Sequence, residues 1–332
     1  MMHINYWTMD LIEWKMIKRG DLMEYNCVDL GSDKCPCVLM EAGQCYSCNM
    51  IKKGKCDCNG LWQGVCPYTE YMLRNKKAKG PMIERRCVIF GVKSFSPDLT
   101  VVTLETPIGF GLKCKEMGAF LMLKWKSWFV PISVIRVVED FGNQISYVEV
   151  AIRATGPKTI GLLKSAMVGN DLVVKGPFFS GLVNKDRYDK NAKSIVVAKG
   201  IAIMPLINVK RMLGGKITAF KLDRNKLPTE FLNEYLGDME YSTVDLEKES
   251  FEVSEELKEL YGYSYEENRK PNLFMMVSPY YEEKLLKLTG FGKGMIIAPN
   301  HSNMCCGEGY CGSCSWMNRE GVTVRRCKCI DG

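Results

Sequence analysis

Short runs of apolar and β-branched residues follow one another between residues 84 and 188. Glycine, proline, asparagine or aspartate separates six such runs, which are RRCVIFGVKSF, LTVVTLET, AFLMLKW, PISVIRVVED, ISYVEVAIRAT and DLVVKGPF. Runs of this composition, bounded by turn-forming residues, predict β-strands. Six strands at short spacing predict a small antiparallel β-barrel.

The pattern changes between residues 190 and 303, where strand-like and helix-like segments alternate. The strand-like segments are SIVVA, KITAFKL, NLFMMVS and MIIAP. Helical patterns occur in MPLINVKRML, LPTEFLNEYL, FEVSEELKELYG and PYYEEKLLKL. This order predicts a parallel sheet with crossover helices, which is an α/β domain. Together with the barrel, it makes the expected fold class α+β multidomain.

Both ends of the chain are rich in cysteine. The first 80 residues hold eight cysteines and few strand-like runs, and the last 29 residues hold six. Apolar spacing predicts an amphipathic helix over residues 8–18, and the basic stretch RNKKAKGP is typical of a linker. We therefore expect four regions: a cysteine-rich metal or iron–sulfur segment over residues 1–80, the barrel over 84–188, the α/β domain over 190–303, and a cluster-binding tail over 304–332.

The composition narrows the chemistry open to these cysteines. No segment approaches the roughly 18 consecutive apolar residues of a membrane span, and the N-terminus lacks the apolar core of a signal peptide, so we expect a cytoplasmic protein. A reducing compartment disfavours disulfides and favours metal binding by the sixteen cysteines. With only two histidines, a large metal content must depend on thiolates. A net charge of +7 with interspersed signs indicates no nucleic-acid partner.

The C-terminal cysteines have the spacing of an iron–sulfur site. The plant-type [2Fe–2S] pattern C-x4-C-x2-C…C is formed by Cys306, Cys311, Cys314 and Cys327. The glycines among them allow a tight loop whose amides can donate hydrogen bonds to sulfur. The alternatives are a zinc site, which usually pairs two C-x2-C units, and free thiols. Either Cys305 or Cys329 could replace a neighbour as a ligand.

The order of these regions resembles a known family. A β-barrel, an α/β domain and a C-G-x-G-x-C-x-x-C…C-K motif occur in this order in the electron-transfer subunit of dihydroorotate dehydrogenase, which belongs to the ferredoxin–NADP reductase superfamily. The resemblance covers about residues 84–332, and the cysteine motif is its most specific part. It implies FAD, a [2Fe–2S] cluster and a partner oxidoreductase.

Three flavin motifs of that family have partial counterparts here. The motif R-P-x-S resembles residues 130–133, where Val130 replaces an arginine that would hold the pyrophosphate. The motif G-x-G-T-K resembles residues 156–159, and G-P-x-G-x-G-F resembles residues 176–182. The resemblance implies flavin contacts from Pro131, Ile132, Ser133, Gly156, Lys158, Thr159, Gly176 and Pro177. FAD is expected, with FMN as the alternative. Taken alone, these stretches would be an ordinary buried strand and turns.

The nicotinamide motifs of the family are largely missing. In place of G-G-G-x-G-x-x-P, residues 199–206 read KGIAIMPL, in which only Gly200 and Pro205 match. Ala202 or Ile203 occupies the place of a glycine, and a β-branched residue there would project where the pyrophosphate should lie. The C-G-P motif is replaced by VSP at residues 277–279. Asp223 is the one candidate ribose clamp, although a solvated loop aspartate is the favoured interpretation. Lys199 could hold an anion or be solvated. We therefore expect NAD(P) binding to be doubtful.

The N-terminal cysteines form a regular array. Its members are Cys27, Cys35, Cys37, Cys45, Cys48, Cys56, Cys58 and Cys66. They divide into two units of the form C-x7-C-x-C-x7-C, which indicates two four-thiolate sites or an interleaved pair. Iron–sulfur clusters are the favoured interpretation, while structural zinc and plain thiols stay open. Cys87 and Cys114 are expected to be core cysteines on barrel strands.

These features together predict an iron–sulfur flavoprotein that relays electrons between a flavin, its clusters and a partner oxidoreductase, with ferredoxin as one candidate partner. The sequence shows no nucleophile, general base or substrate pocket, which suits a relay. One alternative is an NAD(P)H-dependent flavin reductase or ferredoxin oxidoreductase subunit. The other is a zinc-containing, non-enzymatic redox sensor.

Overall fold

The structure is a computed structural model that describes residues 27–56, 65–213, 217–223, 227–266, 270–317, 321 and 323–329. The helix predicted over residues 8–18 lies outside these residues, as does Cys58 of the N-terminal array. Within the described part, no helix is long and apolar enough to cross a membrane.

The cysteine-rich segment consists of short helices joined by turns. The helices are α1 (Val38–Glu41), α2 (Asn49–Lys53) and α3 (Pro67–Leu73). Each begins directly after a cysteine, namely Cys37, Cys48 and Cys66. The basic stretch over residues 74–81 returns to this segment, because the Lys79 amide donates to the Pro36 carbonyl. The stretch therefore packs back on the residues it was expected only to connect.

The predicted barrel is present and closed. Its strands are β1 (Arg85–Ser96), β2 (Leu99–Pro107), β3 (Phe120–Trp125), β4 (Trp128–Asp140), β5 (Ile145–Arg153) and β6 (Asp171–Phe178). They pair antiparallel in the order β1-β2-β5-β4-β3-β6, and β6 pairs with β1 to close the ring. Two helices that the sequence pattern did not predict interrupt the strands: α4 (Ile108–Cys114) and α5 (Pro157–Ser165).

Helix α4 closes one end of the barrel. It turns Phe110 and Cys114 into a core of aliphatic side chains that the strands supply. The prediction that Cys114 lies on a strand is therefore wrong, although Cys87 does lie on β1 and both thiols are buried in this core. Burial raises the pKa of Cys87 to about 11 and the pKa of Cys114 further. Neither thiol is in a state to react or to bind metal.

The α/β domain is present as predicted. Its strands are β7 (Leu182–Val183), β8 (Ser194–Ala198), β9 (Ile217–Asp223), β10 (Ser242–Val244), β11 (Asn272–Met276) and β12 (Ile296–Pro299). The order is β10-β9-β8-β11-β12-β7, and all neighbours are parallel except β7. Two helices, α6 (Met204–Leu213) and α7 (Thr229–Leu236), pack against one face of this sheet. Two others, α8 (Ser250–Glu266) and α9 (Pro279–Thr289), pack against the opposite face.

The C-terminal tail returns to the N-terminal segment. It forms a hairpin of β13 (Ser315–Met317) and β14 (Thr323–Arg325), and then Cys329 makes an isolated antiparallel bridge with Cys27. Tyr46 and Leu39 are buried against the tail. The two cysteine-rich ends, which are about 300 residues apart in sequence, therefore share one small core.

A polar network joins the barrel to the α/β domain. Both nitrogens of Arg136 that face Glu149 donate to its carboxylate over 2.8 Å, and the Tyr235 hydroxyl donates to the same carboxylate over 2.8 Å. The Arg136 guanidinium also lies 4.8 Å from the centre of the Tyr235 ring. Burial raises the pKa of Tyr235 well above its usual range, so the hydroxyl stays protonated and remains a donor. The network thus holds α7 against β4 and β5.

We expect Tyr235→Phe to lower the free energy of unfolding by about 2 kcal/mol, because it removes a buried hydrogen bond to a carboxylate. Chemical denaturation followed by circular dichroism measures the change. The matched control is Tyr188→Phe, whose hydroxyl donates to the Met212 carbonyl at the surface. This control should cost under about 1 kcal/mol. Equal losses in both variants would contradict the role of the network.

Candidate functional site

The predicted cluster loop lies against the outside of the barrel. Gly307, Gly309 and Gly312 all have positive φ, at 72°, 87° and 72°. At Gly307 the close approach also matters, because a Cβ atom there would lie 2.8 Å from the ring of Phe178 on β6. Glycine therefore lets the loop both turn tightly and pack on the barrel.

Glu308 anchors this loop, a role that the sequence did not reveal. Its buried carboxylate accepts hydrogen bonds from the Met82 amide at 2.6 Å and from Lys175 at 3.4 Å. A single glutamate between two glycines has no distinctive spacing, so only its contacts identify it. The contacts hold the loop beside β6 and the residues just before β1.

The four predicted cluster ligands are close together. The Cys327 thiol lies within hydrogen-bond reach of both the Cys306 and the Cys314 sulfur, and Cys306 also hydrogen-bonds with Cys311. Hydrogen bonding from Cys327 lowers the pKa of Cys306 to about 4 and that of Cys314 to about 6, while the pKa of Cys327 itself is raised by the same contacts. Two of the sulfurs therefore favour the thiolate form, which is the form that binds metal.

Backbone amides also donate to these sulfurs. The Glu308 amide donates to Cys306 Sγ and the Cys327 amide to Cys314 Sγ, both over 3.4 Å. The Ser180 hydroxyl fixes the return strand by donating to the Cys327 carbonyl at 2.9 Å. Amide donors to sulfur stabilise the negative charge of thiolates bound to a cluster.

The two spare cysteines differ from the members of this group in their surroundings. Cys305 is exposed and hydrogen-bonds with Cys311 at the edge of the loop. Cys329 is buried in the core that it shares with Tyr46. The assignment of Cys306 and Cys327 as ligands stays a prediction, but the geometry distinguishes them from their neighbours.

These residues fit a two-iron cluster in number and type. Such a cluster takes four thiolates, two on each iron, and three from one loop and one from a return strand are present here. Among the residues that the structure describes, no three His, Cys, Asp or Glu side chains are arranged as ligands of one metal ion.

The first flavin motif is divided between two sides of β4. Val130 and Ile132 point into the barrel core, whereas Pro131 is exposed and Ser133 half-buried on the outer face. The motif comparison placed Ile132 at the flavin, but its side chain cannot face a ligand on the outside of the barrel. The side chain at position 130 also enters the core. The absence of an arginine there therefore says nothing about whether a flavin pyrophosphate binds on the outer face.

The second motif lies at the start of α5. Gly156 caps the helix, and Thr159 Oγ1 accepts from its amide at 3.2 Å and donates to its carbonyl at 3.1 Å. Thr159 thus serves its own helix. Lys158 lies over Trp128 at 4.4 Å, and its charge opposes the rise in the pKa of Cys305 that burial and the neighbouring cysteines cause. The helix start and the cluster loop therefore border the same region.

The third motif lines a cavity of about 770 Å³ between the barrel and the N-terminal segment. Gly176 and Pro177 form one wall, and Lys34 from the N-terminal segment donates to the Pro177 carbonyl at 2.8 Å. Lys34 also lies 4.8 Å from the ring centre of Phe179. The cysteine-rich segment therefore covers this motif, which no sequence pattern indicated.

The nucleotide crevice of the α/β domain is filled by its own side chains. Lys199 follows β8, Asp223 ends β9, and their charged atoms are 2.5 Å apart. Asp223 is 5% exposed and also accepts from the Leu246 amide at 2.9 Å, so the expectation of a solvated loop aspartate is wrong. Lys199 lies 4.6 Å from the ring centre of Tyr281. The sequence also predicted that a side chain such as Ile203 would block the pyrophosphate site. That prediction is wrong for Ile203, because its side chain is buried in the core of the domain.

Comparison with known proteins agrees with this architecture. No protein-family model matches the sequence, and no curated protein is significantly similar to it. Among solved structures, an NADH-dependent reduced ferredoxin–NADP oxidoreductase studied for flavin-based electron bifurcation is 16% identical with a TM-score of 0.53, over 77% of this chain and 87% of its own. An intact type IV self-sufficient cytochrome P450 monooxygenase is 16% identical with a TM-score of 0.50, over 79% of this chain and 42% of its own. The chain therefore has the two-domain fold of ferredoxin–NADP reductases.

Proposed function

We propose that this chain is an electron-transfer flavoprotein that exchanges electrons with a partner oxidoreductase through a C-terminal [2Fe–2S] site. The observation that carries the proposal is the group of four thiols, Cys306, Cys311, Cys314 and Cys327, packed on the face of the flavin-type barrel. A bound flavin would take up two electrons and release them singly, while a cluster carries one electron at a time.

The flavin is best accommodated on the outer face of β4. Ser133 offers a hydroxyl there, and the start of α5, with Lys158, offers amides and a positive charge to phosphate. FAD is favoured because the three partial flavin motifs occur in the same order as in the resembling family. The cluster loop borders the same face through Phe178 and Met304, which pack together with Phe129. Flavin and cluster would thus be neighbours.

The electron source is proposed to be a protein rather than NAD(P)H. In this type of fold a nicotinamide nucleotide binds with its pyrophosphate at the carboxyl ends of the central strands, here β8 and β9. The Lys199–Asp223 ion pair lies at these strand ends. Releasing that pair would leave buried charges without partners. In this respect we propose that the chain resembles the electron-transfer subunit of dihydroorotate dehydrogenase without its nucleotide function.

The test is an anaerobic titration of the purified, FAD-loaded protein. We expect no bleaching of the flavin absorption with excess NADH or NADPH, and full bleaching with reduced ferredoxin or dithionite. Rapid bleaching by either nucleotide would replace the proposal with an NAD(P)H-dependent reductase. A colourless protein that contains zinc alone would instead support a non-enzymatic sensor.

A further inference from the structure

The cavity of about 770 Å³ between the barrel and the N-terminal segment lies apart from the nucleotide crevice and from the outer face of β4. Among the described residues that line it, none belongs to the α/β domain and none comes from β4 or α5. Its walls are the start of β1, the end of β6, helix α4, the N-terminal segment and the cluster loop. Its volume falls within the range of about 300–1,000 Å³ that is typical of small-molecule sites.

Lys34 places a largely buried positive charge at the wall of this cavity. Its Nζ atom donates to the Pro177 carbonyl and lies 5.3 Å from the ring centre of Phe178. The nearest carboxylate among the described residues is that of Asp29, at 3.9 Å, and Asp29 lies closer to Lys328. Because an ammonium group has three N–H donors, Lys34 keeps donors for a ligand.

Two further cations line the same cavity and are held less firmly. Lys113 on α4 has a side chain that is 59% exposed, and its Nζ atom lies 3.5 Å from the carboxylate of Asp33. Arg85 at the start of β1 is exposed, and its guanidinium lies 5.8 Å from the ring centre of Phe110. Lysine binds phosphate as a point charge, and arginine binds it through paired N–H groups. The cavity therefore presents three cations to one ligand.

The other charged side chains of the lining have partners of their own or are open to solvent. Lys79 and Lys328 each form an ion pair with a carboxylate that does not line the cavity. The buried carboxylate of Glu308 is engaged by Lys175 and by a backbone amide. Glu116 is exposed, so water and salt screen its charge. The charge that remains for a ligand is therefore positive, which favours an anion.

Aromatic rings form another part of the lining. Phe178 is buried and is fixed by stacking on Phe120, with the ring centres 5.3 Å apart. Phe179 is half-buried and Tyr310 is 49% exposed, so both keep ring surface that a ligand can cover. Aromatic side chains of this kind stack on the bases of nucleotides. The cavity thus combines a surface for a planar ring with a site for an anion.

We propose that this cavity binds a nucleoside phosphate, with the phosphate at Lys34, Lys113 and Arg85 and the base at Phe179 and Tyr310. A small aromatic carboxylate would meet the same charges but would fill only a minor part of a volume of about 770 Å³. Because the N-terminal segment and the cluster loop both line the cavity, the bound ligand would contact both of them. The proposal does not depend on the proposed electron-transfer function.

The test is isothermal titration calorimetry of the full-length protein, purified with its cofactors, against adenosine 5′-monophosphate and uridine 5′-monophosphate. We expect at least one of the two to bind. The matching nucleoside, which lacks the phosphate, and ribose 5-phosphate, which lacks the base, should each bind at least roughly 10-fold more weakly. Failure of both nucleotides to bind, or equal affinity for nucleotide and nucleoside, would overturn the proposal. Release of flavin on addition of nucleotide would place the nucleotide at the flavin face and would also overturn it.

Matched lysine variants locate the binding. Lys113→Gln should weaken nucleotide binding roughly 10-fold, because it removes a charged partner of the phosphate. Lys77→Gln is the control, since Lys77 is also exposed and lies 3.4 Å from a carboxylate, that of Glu41, but does not line the cavity. This control should bind as the wild type does, and equal affinities in the two variants would overturn the proposal. Lys34→Met should weaken binding as well, with circular dichroism to verify its fold; if it does not fold, Lys113→Gln decides the outcome.

Discussion

Replacing Cys314 by serine is expected to remove the C-terminal iron and to slow electron delivery to a one-electron acceptor by on the order of 100-fold, since even the loss of a group that only hydrogen-bonds to a metal ligand costs up to about that factor. Cys314 is buried and its sulfur accepts a hydrogen bond from the Cys327 amide, so its replacement removes one of the four predicted thiolates from the centre of the group. Iron and sulfide analysis, with stopped-flow reduction of the acceptor by the pre-reduced protein, measures both effects.

Cys305→Ser is the matched control for this prediction. Cys305 adjoins the ligand Cys306 in sequence but is exposed and lies at the edge of the thiol group. This variant should retain its iron and its rate. Flavin content should be unchanged in both variants. Full iron in Cys314→Ser, or equal losses in the two, would show that the ligands are assigned wrongly.

Replacing Asp223 by asparagine is expected to lower the free energy of unfolding by about 3 kcal/mol, because it leaves the charge of a buried lysine without its partner. The Lys199 side chain is 11% exposed, so water can compensate only in part. The variant also weakens the hydrogen bond from the Leu246 amide. Equilibrium denaturation of the wild type and variant at equal flavin load gives the difference.

An exposed pair of the same kind supplies the comparison. Lys210 and Asp238 have their charged atoms 2.5 Å apart, but Asp238 is 67% exposed. Asp238→Asn should therefore cost under about 1 kcal/mol. If Asp223→Asn cost no more than this surface variant, the Lys199–Asp223 pair would not be the structural element that we describe at the nucleotide crevice.

The alternation of apolar runs and turn residues was sufficient to predict the six barrel strands and the order of the α/β domain. These elements could be predicted because a strand or helix that buries one or both of its faces has a regular spacing of apolar residues, which a single sequence shows. Helix α4 was missed, since the stretch IGFGLKC is short and has two glycines. It is helical because the open end of the barrel buries Phe110 and Cys114, which is a tertiary effect.

The crevice at the ends of β8 and β9 shows that sequence patterns also miss tertiary contacts at a candidate functional site. The loss of the glycine-rich motif was visible in the sequence, but its consequence was misjudged. A side chain at the loop was expected to be the obstruction, while the structure shows an ion pair between residues 24 positions apart. Parallel strands bring Lys199 and Asp223 together at one edge of the sheet, and no local pattern records this.

Local spacing by itself determined the barrel strands, the helices of the α/β domain and the cysteine groups at the two ends, because periodicity and ligand spacing depend on neighbouring residues. Tertiary structure alone decided that the two ends meet. The bridge between Cys27 and Cys329, the buried Asp29–Lys328 pair and the packing of Tyr46 join residues nearly 300 positions apart. Such contacts depend on the return of the chain around the barrel, and the spacing of neighbouring residues holds no information about that return.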